Sequence, residues 1–452
     1  MTDAATRTVP DGFALFARAQ PAAVSALQAA IAGDQVSHAW LLLGPAGSGQ
    51  VEAARYLGAA LNCTTQGARK AGVPCGKCSS CHRVMAGTHT AVRDFVPEGA
   101  MHRVADVRDE WVPAATRSTL DGRFKVMRIV AADRMNETAQ NAFLKLLEEP
   151  PPSVVWILDV ADDAALLDTI ISRCRRLDVT PWSQDLLRER LDAWVQAGEG
   201  DPGLGSGAEV VKTPPAGRPS KKKAVEVAHL PSPSDGERAA LVRLSKGSPQ
   251  RLEELSTCDG RQLRQLSVTV VERIMELGPK RAGGAAPQIV NEVMDIAMAA
   301  KARLAAVADE ELLDLGLSLG LNMEVGATGP KVKRPDKWPV GLEKQQKQRA
   351  ERAQREAVVG TYRLFLDLLA AYLRDLLVAA STPGDQDALM AAVANGDRAA
   401  SLRRASTRID LVGLVEAMGA MEQAQLSLDL NGQPKLQLER AVIRIVLACA
   451  RA

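Results

Sequence analysis

The stretch Leu41–Leu57, LLLGPAGSGQVEAARYL, decides how the rest of the chain is read. An apolar run enters a glycine-rich turn, and the turn enters a helical pattern. That is the order of a phosphate-binding loop, in which Gly44, Gly47 and Gly49 let backbone N–H groups close around phosphate. Two positions then carry the chemistry, a Lys and a Ser or Thr. Here they are Gln50 and Val51. Gln50 brings no charge, and Val51 offers no oxygen to a metal. The other half of such a site is an acidic pair at the end of a neighbouring strand. The candidate strand, KVMRIVA (125–131), ends in Val130 and Ala131, with Asp133 lying past it beside Arg134. Both halves of the chemistry are missing, so ATP hydrolysis is not expected at this loop. Nucleotide binding without hydrolysis is the alternative reading.

Around the loop, AWLLLG (39–44), KVMRIVAA (125–132) and SVVWILDV (153–160) read as buried strands. Between the last two, NETAQNAFLKLLEEPPP reads as a helix. Asn136 is its N-cap, Glu137 suits its first turn, and Pro150 to Pro152 end it. Strands alternating with helices of this size imply an α/β domain with a parallel sheet, and a site at the carboxyl ends of its strands.

Cys75, Cys78 and Cys81 are spaced C-x2-C-x2-C, with Cys63 upstream. Four thiolates complete a closed tetrahedral zinc site, which has no open position for water and is therefore structural. A bacterial ferredoxin cluster would need a further Cys where Met85 stands. The other three cysteines of the seven are scattered, which favours metal binding over a disulfide framework.

The 452 residues suggest about three domains. The net charge of +2 gives no global field for nucleic acid. No basic-then-apolar leader opens the chain, and no apolar run reaches membrane length. LFLDLLAAYLRDLLVAA (364–380) is broken by Asp367, Arg374 and Asp375 and reads as a mostly buried helix. A cytoplasmic location follows as an expectation. Residues 198–236, rich in Gly, Pro, Ser and Lys, read as a flexible insertion. A second irregular, basic piece spans about 325–356. Within it Lys331–Arg355 has nine Lys or Arg against three acids, with Trp338 its one aromatic. It reads as a solvated segment, with DNA phosphate contact as the alternative.

In order along the chain stand HAWLLLGPAGSG (38–49), the four cysteines, NAFLKLLEEPPPSVVWIL (141–158) and TIISRC (169–174). This series resembles bacterial clamp-loader subunits of the AAA+ superfamily, which load the sliding clamp of DNA polymerase III. It covers residues 14–180 well. Further on it is patchy, through SKGSPQRLEEL (245–255) and NGQPKLQLE (431–439). The resemblance implies an AAA+ parallel-sheet core over 1–180 with a zinc module at about 63–81. It implies a small helical lid domain over 181–275 and a helical collar domain over 276–452. The missing Lys-Ser/Thr and acidic pair are similar to the family's delta-prime branch, which lacks ATPase activity. The resemblance then implies a chain that is no enzyme by itself but part of a DNA polymerase holoenzyme. Its partners would be the ATPase (tau or gamma) and delta subunits in a ring. The sliding clamp and primed DNA would be met through the assembly. The Ser-Arg-Cys motif maps onto Ser172, Arg173 and Cys174, and Arg173 would reach a neighbour's ATP site as an arginine finger. The family's second-domain sensor arginine has no clear counterpart at Gln250 or Arg251. An unusual ATP-binding or weakly active family ATPase is the alternative. A zinc-containing nucleic-acid-binding regulator is a further one, disfavoured by the near-neutral charge.

Overall fold

The computed structural model describes residues 11–97, 99–117, 122–196, 231–277, 286–318, 321–326, 329–332, 342–382, 384, 386–407, 410–429 and 432–449. The expected insertion at 198–236 lies outside these residues as far as 230. The described chain forms two compact units, one from residues 11–196 and 232–257, the other from 258 onward.

The first unit is built on five parallel strands: β1 (Ala39–Leu43), β2 (Val92–Phe95), β3 (Lys125–Ile129), β4 (Val154–Val160) and β5 (Arg175–Asp178). Their order across the sheet is β2-β3-β4-β1-β5. The chain leaves β1 for the far edge, returns through β3 and β4, and crosses β1 to reach β5. The reversal leaves its crevice at the carboxyl end of β1, where the glycine-rich turn begins. Every residue of β4 is buried, as expected of a central strand covered on both faces. This is the parallel-sheet α/β core that alternating strands and helices implied.

The helix Glu137–Glu148 forms where its punctuation requires. Asn136 Oδ1 accepts the Ala139 N–H at 2.8 Å and supplies the cap. Its inward residues Phe143, Leu146 and Leu147 meet Trp156 of β4, Phe95 of β2 and Trp111 in one core cluster. Phe143 stands edge-on to both Trp111 and Trp156, with centroids 5.7 and 5.1 Å apart. A chain with only 3% aromatic residues thus spends several of them on one patch, where each buries a large area.

The second unit is mainly helical. The long helix Leu342–Ser381 packs on Cys258–Leu277, Ala286–Ser318 and Leu411–Asp429. Asp375, one of the residues that break its apolar run, is fully buried. Its oxygens accept Ala394 N, Asn395 N and Asn395 Nδ2 at 3.1, 2.8 and 2.9 Å. Asn395 Oδ1 in turn accepts Arg264 Nε at 3.1 Å. A buried carboxylate survives because each neighbouring donor is aimed at it. No helix of the described residues is long and apolar enough to cross a membrane.

One expectation is corrected here. The piece at 325–356 is not irregular throughout. Met323–Gly326 and Gly329–Val332 pair antiparallel, and residues 342–356 are the first turns of the long helix. EKQQKQRAERAQRE lacks large apolar residues, but Glu, Lys, Gln, Arg and Ala are all strong helix formers. A polar sequence here forms helix rather than irregular chain.

Candidate functional site

The turn after β1 closes on itself. The Gly44 N–H donates to Val160 O at 3.0 Å and Ser48 N to Pro45 O at 3.1 Å. Gln50, the first residue of the helix Gln50–Asn62, is fully buried. Its Nε2 donates to Gly44 O at 3.2 Å and to Pro45 O at 2.9 Å. The side chain at the lysine position therefore turns back on the loop's own carbonyls. Three other segments grip the loop. Gln20 Nε2 and Trp182 Nε1 both donate to Ser48 O, at 2.8 and 3.1 Å. A Cβ at Gly47, whose φ is +78°, would stand 2.2 Å from Ser248 Oγ. Ser248 caps the helix Pro249–Ser256 by accepting the Arg251 N–H at 3.0 Å, while Arg251 Nε donates to Leu244 O. Replacing Gln50 with Ala removes both bonds and the fully buried side chain that makes them, while the Pro45 carbonyl keeps the Ser48 N–H. The expected cost is about 2 kcal/mol of stability, measurable by urea denaturation.

β3 ends at Ile129, short of the expected 125–132. Val130 and Ala131 form the turn after it, with Ala131 in the left-handed region at φ +51°. Asp133, past the strand end, accepts the Ala161 N–H through Oδ2 at 3.3 Å. Arg134 Nε donates to Ala100 O. The Val130 carbonyl bonds the ring Nε2 of buried His102 at 2.8 Å. Burial lowers the His102 pKa, so this imidazole is neutral and donates.

The carboxyl ends of β2, β3 and β4 instead carry a charged triad that sequence reading missed. Arg128 Nη2 pairs with Asp94 at 2.7 Å and Nη1 with Asp159 at 3.0 Å; the Arg128 side chain is 7% exposed. Its signal was an arginine inside an apolar strand, KVMRIV, and an aspartate inside another, WILDV. Burial pushes the Asp159 carboxyl up to about 6, against the pull of Arg128 and with repulsion from Asp133 and Asp94. Arg128→Met removes the cation and is expected to destabilise the fold by about 3–5 kcal/mol. A carboxyl whose folded pKa is raised contributes stability at low pH that is lost as pH rises through that value. Without Arg128 the pKa rises further, so the loss should be larger at pH 8 than at pH 5.5 in matched denaturation curves.

The four cysteines converge as their spacing implied. The Sγ atoms of Cys63, Cys75, Cys78 and Cys81 all lie within 4.8 Å of one another, and Cys75 and Cys81 are 3.9 Å apart. A tetrahedron of Zn–S bonds near 2.3 Å has edges of about 3.8 Å. Backbone donors also point at the sulfurs. Cys75 Sγ accepts Lys77 N and Cys78 N at 3.4 and 3.3 Å, and Cys78 Sγ accepts Cys81 N at 3.4 Å. N–H groups aimed at sulfur favour thiolate, the form a metal takes. Burial opposes ionisation of Cys78, yet the donors around it outweigh burial and bring its thiol down to about 6. The cluster can hold one metal ion. It closes against the helix Gln50–Asn62, where Cys81 Sγ faces Ala59 O.

The Ser-Arg-Cys motif lies after the short helix Asp168–Ile171. Cys174 packs on the core cluster, and burial pushes its thiol up to about 12, which favours the neutral form. Ser172 Oγ donates to Thr169 O at 3.2 Å. The Arg173 side chain, 38% exposed, donates through Nη1 to the same carbonyl at 2.9 Å and pairs through Nη2 with Glu148 at 3.0 Å. The two following arginines are otherwise engaged. Arg175 stacks over Trp40 at 5.0 Å, and Arg176 pairs with Asp163 and Asp178. The sheet does not bring Arg173 to the chain's own glycine-rich loop by any bond among the described residues.

Residues 19–183 match the family model described as DNA polymerase III, delta subunit. This N-terminal stretch is similar to delta' subunits of bacterial DNA polymerase III. DNA polymerase III subunit delta' of Bacillus subtilis is 33% identical over 175 residues, 38% of this chain and 51% of the relative. The Pseudomonas aeruginosa subunit delta' is 41% identical over 142 residues, 31% of this chain and 42% of the relative. The tau subunit of Bacillus subtilis is 31% identical over 173 residues, 38% of this chain and 30% of the relative. The chain thus spans about half the length of the curated delta' relatives it matches, and the likeness lies in this N-terminal stretch.

Proposed function

We propose that this chain is the delta-prime-type member of a bacterial DNA polymerase III clamp loader, a ring subunit that hydrolyses no ATP of its own. The observation that carries this reading is the inward-turned Gln50, whose amide is spent on the loop's own Gly44 and Pro45 carbonyls. A working loop keeps its backbone donors and a lysine for phosphate. The apolar pair Val130 and Ala131 supports the same conclusion from the opposite side of the site. The chain acts instead at a neighbour's phosphate, through Arg173, whose fixed positive fork suits charge on a transferring phosphoryl group. The partners are the ATPase (tau or gamma) and delta subunits. The sliding clamp and primed DNA are reached through that assembly, in the cytoplasm. Zinc is the metal that four thiolates with tetrahedral spacing would take, and its role is structural. The helices of 181–275 serve as the lid and those of 276–452 as the collar that holds the ring.

The test is reconstitution with the ATPase and delta subunits. Alone, the chain should bind no ATP at millimolar concentration by equilibrium dialysis. Added to its partners, it should give DNA-stimulated hydrolysis and clamp loading. Turnover by the isolated chain would favour the alternative of a family ATPase with unusual residues. Tight, salt-sensitive DNA binding by the chain alone would favour a nucleic-acid-binding regulator.

A further inference from the structure

Glu148 is the last residue of the helix Glu137–Glu148. An acid there opposes the helix dipole, at a cost of about 0.3–1 kcal/mol. The residue beside it, Leu147, is buried in the core cluster, and so is Ile170 in the turn that carries Arg173. Both partners of the Arg173–Glu148 pair therefore stand on rigid ground, although the pair itself is exposed. The contact takes one edge of the guanidinium. Nη1 binds Thr169 O and Nη2 binds Glu148 Oε1, which leaves three of the five N–H donors for another acceptor. A phosphate oxygen can be met without breaking either bond.

We infer that Glu148 is a positioning residue for the arginine finger. It holds the guanidinium by one edge so that the other edge is aimed outward before the neighbour's nucleotide arrives. This rests on the reading of Arg173 given above. As an exposed ion pair it adds little stability. Its effect is on orientation, where a misplacement of about 1 Å costs on the order of 10²-fold in rate.

The experiment uses the reconstituted loader and reads ATP hydrolysis at the site adjoining this chain. Glu148→Ala is expected to lower kcat about 10-fold, within that orientation range, with KM for ATP unchanged. Glu148→Gln, whose amide oxygen accepts the same hydrogen bond, should recover most of the rate. On an Arg173→Ala background, Glu148→Ala should add no further loss. A Glu148→Ala loss that persists without Arg173, or no loss while Arg173→Ala is defective, overturns the positioning role and leaves the finger standing. Full activity of Arg173→Ala itself overturns both.

Discussion

Arg173→Ala is expected to lower hydrolysis at the neighbouring ATP site by about 10³-fold, near 4 kcal/mol of transition-state stabilisation, while the ring still assembles. The loss is large because the γ-phosphoryl group spreads charge over its equatorial oxygens, and a cation supplied in trans meets that charge only in the transition state. Folding should be almost untouched. The side chain is 38% exposed and its partner Glu148 52% exposed, and pairs of that kind contribute about 0–1 kcal/mol. Arg173→Lys should recover little, since a point charge cannot bind one acceptor with one edge and phosphate with the other. Single-turnover hydrolysis with the remaining ATP sites silenced reads the effect directly. An unchanged rate would end the arginine-finger assignment. A lost complex would make Arg173 an assembly residue instead.

The second large effect concerns the metal. The purified chain should carry about one zinc ion, and its removal should release the segment around residues 63–85. Structural zinc contributes on the order of 10 kcal/mol in small zinc modules at neutral pH, more than the few apolar side chains this segment buries, Val73 and Val84, supply. The short helices Gln66–Lys70 and Ser79–Met85 are too small to stand alone. None of Cys63, Cys75, Cys78 and Cys81 lies in the aromatic core cluster around Trp111 and Trp156. The sheet should therefore survive chelation while protease cleavage appears within 63–85. Cys81→Ala, which removes a fully buried ligand, should match chelated wild type. Cobalt substitution should give the absorption of a tetrahedral four-thiolate site. Acidification should release the metal as thiolates take up protons. A metal-free chain that keeps 63–85 protected would remove the zinc assignment.

The sheet was legible because its signals are local. A buried strand needs only a short apolar run between breakers, and AWLLL and VVWILDV supply it. The helix over 137–148 announced both ends through Asn136 and Pro150. The cysteine cluster was legible because close sequence spacing forces close sulfurs. The error at 342–356 has the opposite origin. A helix whose sequence lacks large apolar residues carries no periodic signal, so only the propensity of its Glu, Lys, Gln, Arg and Ala residues points to order.

The sequence by itself determined that Gln50, Val51, Val130 and Ala131 stand where a phosphate loop would carry its lysine, hydroxyl and acids, since these are matters of residue identity at fixed spacing. It also determined which arginine stands in the Ser-Arg-Cys motif. Only the tertiary structure decided what replaces the missing chemistry. Gln50 folds onto Gly44 and Pro45, Ser248 closes on Gly47 from some 200 residues away, and Arg128 joins Asp94 to Asp159 across three strands. It likewise decided how three neighbouring arginines are held, Arg173 by Thr169 and Glu148, Arg175 over Trp40 and Arg176 by Asp163 and Asp178. The physical reason is range. Missing groups are visible in the chain's own order, whereas hydrogen bonds and ion pairs depend on which distant segments the fold brings within 3 Å.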